Sequence, residues 1–322
     1  MISRILRGAA KLCLIVVLLI VAAIAAFRIA AAARETAGRG DLAPSTGHWV
    51  ATRSGDVFIQ EKGPASGTPV VLFHGTAAWS ELWRATTDAL AAAGYHVIAL
   101  DLPPSGFSDR PGSYTRQDQA ERVNDVLARL DAQPAIIVGH SFGAGAATEL
   151  VLHFPERVRA LVLVDAALGL MATPSDAPAL LQPKWLREIL VSLTVTNPFA
   201  TKMLLKSLIA KKERARPEYV EILQRPLTRQ NSTSDVADWL YYFAGSDRGA
   251  ESADRSAYPR LKRPVAILWG EMDTVTPLEQ ARDLNALLPQ AHLTLLPGLG
   301  HIPQIEDPQT FNDALLKALV TL

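Results

Sequence analysis

The chain has 322 residues, and 32 lysines and arginines balance 32 aspartates and glutamates for a formal net charge of zero. That length holds one large domain or two modest ones, with room for a sizeable core. Balanced charge excludes the basic stripe of a nucleic-acid binder and the acidic tail of a disordered chain, so no nucleic-acid partner is expected. The one cysteine, Cys13, rules out intrachain disulfides and cysteine-based zinc clusters.

Cys13 lies in the first feature of the chain and reads there as an inert filler. Leu12 to Phe27 spells LCLIVVLLIVAAIAAF without a charge, after Arg4, Arg7 and Lys11; Arg28 interrupts, and IAAAA follows. A helix of that run is about 24 Å long, short of the ~30 Å hydrocarbon core, unless Arg28 snorkels and the span extends toward Ala33. Residues 1–34 read as an uncleaved membrane anchor, its basic end cytoplasmic and the remaining chain outside the cytoplasm. A basic start, an apolar centre and A-x-A triplets also mark a cleaved signal peptide, which makes secretion the competing reading.

Residues 35–47 form a polar linker containing glycine and proline. HWVATR and DVFIQEKG then alternate about Ser54-Gly55 as a hairpin. PVVLFHG, from Pro69 to Gly75, has the continuous apolarity of a fully buried strand. A helical pattern runs from Ser80 to Ala93, and YHVIALDL is the next strand. Helix RQDQAERVNDVLARLD precedes strand AIIVGH, and a further helix leads to strand RALVLVDAAL. After a long interval come strand RPVAILWG, helix PLEQARDLNALLP, strand HLTLLPG and helix PQTFNDALLKALVTL. Strands alternating with helices predict an α/β fold, a mostly parallel sheet covered by helices on both faces. Its two parts are residues 48–168 and 264–322. Between them, residues 169–263 are too many for a connection and rich in helix formers, which predicts an inserted helical cap.

The candidate chemistry sits where ligands bind in open α/β sheets, beyond the carboxyl ends of the strands. Ser141, between Gly139 and Gly143 at a strand-to-helix junction, has the spacing of a nucleophile elbow. Asp273 follows AILWG and His301 follows LTLLPGLG, so the chain order is serine, acid, histidine. A serine hydroxyl is a poor nucleophile until an imidazole takes its proton, and the imidazole needs a carboxylate to fix its tautomer. Asp165 also ends a strand and competes with Asp273 for that role.

Six stretches, HGTAAWSELW, DLPPSGFSD, GHSFGAG, LVLVDAAL, GEMDTVTP and GHIPQIEDP, together resemble the α/β-hydrolase superfamily. The resemblance covers roughly Gly47 to the C-terminus and points to the serine-nucleophile, esterase- and lipase-like branch with a helical cap. It implies Ser141 as nucleophile, His301 as base, Asp273 as its orienter, and an oxyanion hole from the backbone N–H groups of Thr76 and Phe142. Pro104 departs from the glycine frequent in relatives. His74 is expected to brace the oxyanion loop, His140 to point away as a structural residue, and His153 to sit at a helix end. Asp101 is expected to organise its own loop and Glu306 to cap the last helix.

Serine at the elbow disfavours epoxide opening and halide displacement, for which relatives use aspartate. Hydrolysis of a small hydrophobic carboxylic ester is the expected activity. Acyl transfer, thioester hydrolysis, C–C bond hydrolysis and a slow-turnover small-molecule receptor of the same fold are the alternatives. No nucleotide, flavin or metal motif accompanies the site, so neither cofactor nor metal is expected. Trp239, Tyr241 and Tyr242 are expected to line the acyl pocket or to form the cap's own small core.

Overall fold

The structure, a computed structural model, describes residues 2–132, 134–171, 177–245 and 249–322. Its sheet has eight strands: β1 (Gly47–Thr52), β2 (Gly55–Lys62), β3 (Pro69–Phe73), β4 (His96–Leu100), β5 (Ala135–His140), β6 (Val158–Val164), β7 (Val265–Gly270) and β8 (His292–Leu296). They lie in the order β1-β2-β4-β3-β5-β6-β7-β8. Only the β1–β2 and β2–β4 pairs are antiparallel; β4, β3, β5, β6, β7 and β8 run parallel. Thr52 faces Gly55 across the first hairpin, and Gly55 takes the positive φ (109°) that such a tight turn demands.

In chain order the helices are α1 (Ile2–Arg34), α2 (Arg39–Leu42), α3 (Arg84–Ala92), α4 (Arg116–Leu130), α5 (Gly143–His153) and α6 (Lys184–Leu193). α7 (Pro198–Leu208), α8 (Pro217–Gln224), α9 (Ser232–Ala244), α10 (Leu278–Leu287), α11 (Pro303–Glu306) and α12 (Pro308–Thr321) follow. Successive strand residues separate onto two faces, as a period of two requires. Val71, Phe73, Ile137 and Leu161 pack with α4, α5 and α10, whereas Val70, Leu72, Val138 and Val162 pack with α3 and α12. Strands buried on both sides read as unbroken apolar runs for this reason.

The helical reading of Ser80–Ala93 is divided in the structure: a 3₁₀ turn covers Ser80–Trp83 and α3 begins at Arg84. Within the inserted residues 169–263, α6 ends at Leu193 and α7 starts at Pro198. Asn197 accepts the Phe199 N–H and Pro198 occupies the first helical position, so a new helix must start there. Between β6 and β7, helices α6 to α9 are held to the rest of the fold by buried polar contacts. Arg229 donates to the carbonyls of Gly106 and Ser108, and Arg110 reaches Ser232 and Asp235.

α1 is a single helix through Arg34, and its 29 residues from Leu6 are long and apolar enough to cross a membrane, a property that a signal sequence shares. Arg28 has a partner on the fold. It pairs with Glu188 of α6 at 2.8 Å, Ala31 is buried, and Arg34 donates to the Thr196 carbonyl at 2.8 Å. Desolvating Arg28 beside a carboxylate is less costly than carrying it into hydrocarbon. The last turns of α1 are therefore docked on protein.

Candidate active site

β5 delivers the chain to Ser141, which adopts φ +50° before α5 begins. A non-glycine residue in this region carries about 1–3 kcal/mol of strain, sustained here by its surroundings. The Ser141 N–H donates to the Val164 carbonyl at 3.0 Å, while the Ser141 carbonyl accepts from Ala144 and Ala167. The flanking glycines answer to contact. A Cβ on Gly143 would lie 2.3 Å from the His74 carbonyl oxygen, and one on Gly139 2.7 Å from Ala144 Cα. Only glycine permits so close an approach of strand, helix and loop.

His301, in the loop after β8, places Nε2 2.8 Å from Ser141 Oγ and Nδ1 2.8 Å from Asp273 Oδ2. All three residues are buried. Asp273 stands just beyond β7. Its Oδ1 accepts the Val275 and Thr276 N–H groups, and its Oδ2 also accepts the Thr276 hydroxyl at 2.6 Å. Burial works to raise the Asp273 pKa, but the hydrogen bonds from His301 and Thr276 outweigh it and hold the carboxylate below its ordinary value. An ionised Asp273 fixes the Nδ1–H tautomer and leaves Nε2 free to accept the serine proton.

The other strand-end candidates go elsewhere. Asp165 Oδ1 accepts the Gly270 N–H at 2.8 Å, and its Oδ2 has no partner among the described residues. Burial first, and the nearby Asp273 charge second, push Asp165 well above the carboxylate range. Asp101 is pushed up to about 6 by burial while accepting the N–H groups of Ser80 and Phe107. It organises its own loop, as expected. His74 Nδ1–H donates to the Gly75 carbonyl and Nε2 accepts from Leu102 N–H, so burial, which lowers it to about 4, keeps it neutral. His153 pairs with Glu149 in the last turn of α5.

Two expectations are corrected. His140 does not point away: its Nε2–H donates to the His301 carbonyl at 2.7 Å, and the rings lie 5.3 Å apart. Desolvation and the adjacent His301 lower it to about 3, so it is a neutral brace. Glu306 does not cap the last helix, a task taken by Asp307. Its fully buried carboxylate accepts from Gly300, Ala210 and Lys211 N–H groups. It thereby ties the loop carrying His301 to the end of α7. A glutamate five positions after His301 was the sequence signal, but nothing local revealed its partners.

Thr76 and Phe142 border the same cavity as Ser141 and His301. Among the described residues neither N–H donates to a protein acceptor. The cavity measures about 1140 Å³, and Leu204, Leu205, Leu208, Leu223, Leu227 and Phe243 make much of its wall. That exceeds the ~300–1,000 Å³ of common small-molecule pockets.

The expected aromatics do not line it. Trp239 joins Tyr114, Val191, Val236 and Ala237 in a small core and lies edge-on to Phe142 at 5.4 Å. Tyr242 packs against Tyr114, and Tyr241 is exposed beneath Arg187. Phe243, stacked on Trp239 at 4.8 Å, is the α9 aromatic that reaches the cavity. Helical rotation separates them: two residues past Trp239 is nearly the opposite face, whereas four residues past it is the same face. Among the described residues no group of three or more histidine, cysteine or carboxylate side chains is placed to hold a metal ion.

Comparison with known proteins gives the same architecture a lineage. The chain is 29% identical over 273 residues to the uncharacterized protein Rv2715 of Mycobacterium tuberculosis, covering 80% of this chain and 76% of the relative. It is 30% identical over 270 residues to a protein of Paraburkholderia phymatum named 2-hydroxy-6-oxononadienedioate/2-hydroxy-6-oxononatrienedioate hydrolase, covering 78% of this chain and 86% of that one. A solved bacterial membrane phospholipase A shares the fold, with a TM-score of 0.68 and 22% identity across 99% of this chain and 98% of that one. The profile of the alpha/beta hydrolase fold family matches residues 68–308, and the chain therefore belongs to the alpha/beta hydrolase superfamily.

Proposed function

We propose that the protein hydrolyses carboxylic esters through an acyl-enzyme on Ser141. The observation that carries this reading is the hydrogen-bonded sequence Asp273–His301–Ser141, 2.8 Å at each histidine contact, on the wall of an apolar cavity. Ser141 Oγ attacks the ester carbonyl carbon as its proton passes to His301 Nε2, and Asp273 stabilises the imidazolium that forms. The carbonyl oxygen becomes an oxyanion held by the Thr76 and Phe142 N–H groups. Its collapse breaks the acyl C–O bond, and His301 returns the proton to the departing alcohol. Water, activated by the same imidazole, then releases the acid. Base assistance contributes about 10²–10⁴ in rate, and each oxyanion donor about 10²–10³. No cofactor takes part in these steps.

The substrate in this reading is a small hydrophobic ester, and α1 anchors the chain to a membrane with its N-terminus cytoplasmic. Cleavage of a C–C bond is the second reading, favoured by the name of the Paraburkholderia relative. A dienedioate brings two carboxylates, however, and the leucine-rich wall here suits an acyl chain better. Purified protein should turn over chromogenic esters repeatedly and take a fluorophosphonate label. Ser141→Ala should fold normally and lose both. Labelling that persists in this variant places the nucleophile elsewhere, and a single slow turnover in the wild type makes the protein a receptor.

A further inference from the structure

Two helices continue from the membrane-length helix, α6 packed on α1 and α9 packed on α6, and their polar contacts fix their directions. Arg28 of α1 meets Glu188 of α6, and Arg34 meets Thr196 just past it. The two helices therefore run the same way, and α6 begins at the end facing the apolar part of α1. Lys184 pairs with Asp238, Arg187 donates to the Ala237 carbonyl, and Thr196 meets Thr233. α9 is therefore antiparallel to α6 and finishes at that same end. If α1 crosses a bilayer up to Arg28, Trp185 lies about one turn, roughly 4–5 Å, nearer the hydrocarbon than Glu188.

That end carries an apolar rim. Leu180 is 69% exposed, Trp185 63%, Phe243 47% and Tyr241 39%. Isolated exposed apolar residues are ordinary. Leu180 and Trp185 flank the start of α6 and Tyr241 and Phe243 lie in the last turn of α9, so all four belong to the end where a membrane helix joins the fold. Lys184 is next to Trp185, and aromatic rings beside a lysine are the composition of a membrane–water interface. Phe199, also exposed, begins α7 beyond Thr196 at the opposite end and is outside this surface. The rim also touches the cavity, since Phe243, Ala244 and Gly245 belong to its wall.

We infer that the bilayer is the partner of this surface, and that the cavity takes from it the acyl ester of a membrane lipid. The acyl chain enters past Phe243 and brings its ester carbonyl to Ser141 without crossing bulk water. The chemistry rests on the esterase reading above, whereas the docking surface rests on the contacts of α1, α6 and α9. Burying one apolar side chain in the interface strengthens membrane engagement about tenfold, so the rim and α1 together set the depth of the cavity mouth.

Full-length protein in phosphatidylcholine vesicles tests both parts. A bimane label on Leu180→Cys, in a Cys13→Ser background, should be quenched by nitroxide-bearing lipid, and one on Phe199→Cys should not. Trp185→Asp and Leu180→Asp should lower hydrolysis of vesicle-borne phosphatidylcholine about tenfold and leave a water-soluble butyrate ester unaffected. Absence of quenching at position 180, or wild-type rates on vesicle lipid in both aspartate variants, overturns the proposal. Disulfide cross-linking of unlabelled Leu180→Cys chains, in place of lipid quenching of the labelled ones, makes a second copy the occupant and also overturns it. Quenching with no turnover of either ester in the wild type leaves the docking surface standing and removes the esterase reading.

Discussion

Asp273→Asn isolates the electrostatic part of the site from its architecture. Asp273 Oδ1 holds the N–H groups of Val275 at 2.7 Å and Thr276 at 3.0 Å, and an asparagine carbonyl can keep both. Its amide NH₂ then replaces Oδ2, 2.8 Å from His301 Nδ1. Two donors cannot face each other, so Nδ1 must become the acceptor and the ring proton moves to Nε2. There it points at Ser141 Oγ, and the base can no longer take the serine proton. Loss of the correct tautomer in a serine–histidine–acid site costs about 10⁴ in kcat, or about 5.5 kcal/mol of transition-state stabilisation. Stability should change far less, since the backbone contacts survive. The assay is steady-state hydrolysis of a chromogenic ester beside thermal unfolding. Asp165→Asn is the control, because Asp165 holds Gly270 and does not reach His301. A collapse of turnover in Asp165→Asn with near-normal turnover in Asp273→Asn refutes the reasoning.

Phe243→Ala should shift preference toward longer acyl chains, each methylene counting for about 1–3 kcal/mol in kcat/KM, whereas Tyr241→Ala, outside the cavity, should not. Glu306→Gln replaces one of the two oxygens that accept three N–H groups by an amide NH₂, which cannot accept. We expect a loss of about 2 kcal/mol in stability by denaturant unfolding and a lower kcat with little change in KM, because the loop positioning His301 loosens. His74 titrates at about 4 when folded, against an ordinary 6.5. The unfolded chain therefore binds the proton first, and stability present above pH 6.5 is lost as pH falls toward 4. The loss is about 3 kcal/mol in that window. Asp101, raised to about 6, has the opposite slope. Comparing the pH dependence of wild type and His74→Asn isolates the histidine, and identical slopes reject its buried neutral state.

The alternation of apolar runs with helical periods determined the α/β class, and six short stretches determined the superfamily. Both are local properties. A strand buried on two faces must be apolar throughout, and a close turn at the elbow must use small residues whatever the remaining chain does. The sequence also placed Ser141, Asp273 and His301 at the carboxyl ends of strands. The choice between Asp165 and Asp273 as partner of His301 depended on loops after β6 and β7 that meet only in the folded sheet. The Glu306 clamp joins residues nearly a hundred positions apart, and no periodicity encodes such a contact. On α9, composition marked an aromatic cluster, but the helix's rotation against α6 decided that Phe243 and not Tyr241 or Tyr242 faces the cavity. Arg28 likewise reads as a flaw in an apolar run until Glu188 is seen beside it. A charge within an otherwise apolar helix takes its meaning from the partner that neutralises it, and tertiary packing alone supplies that partner.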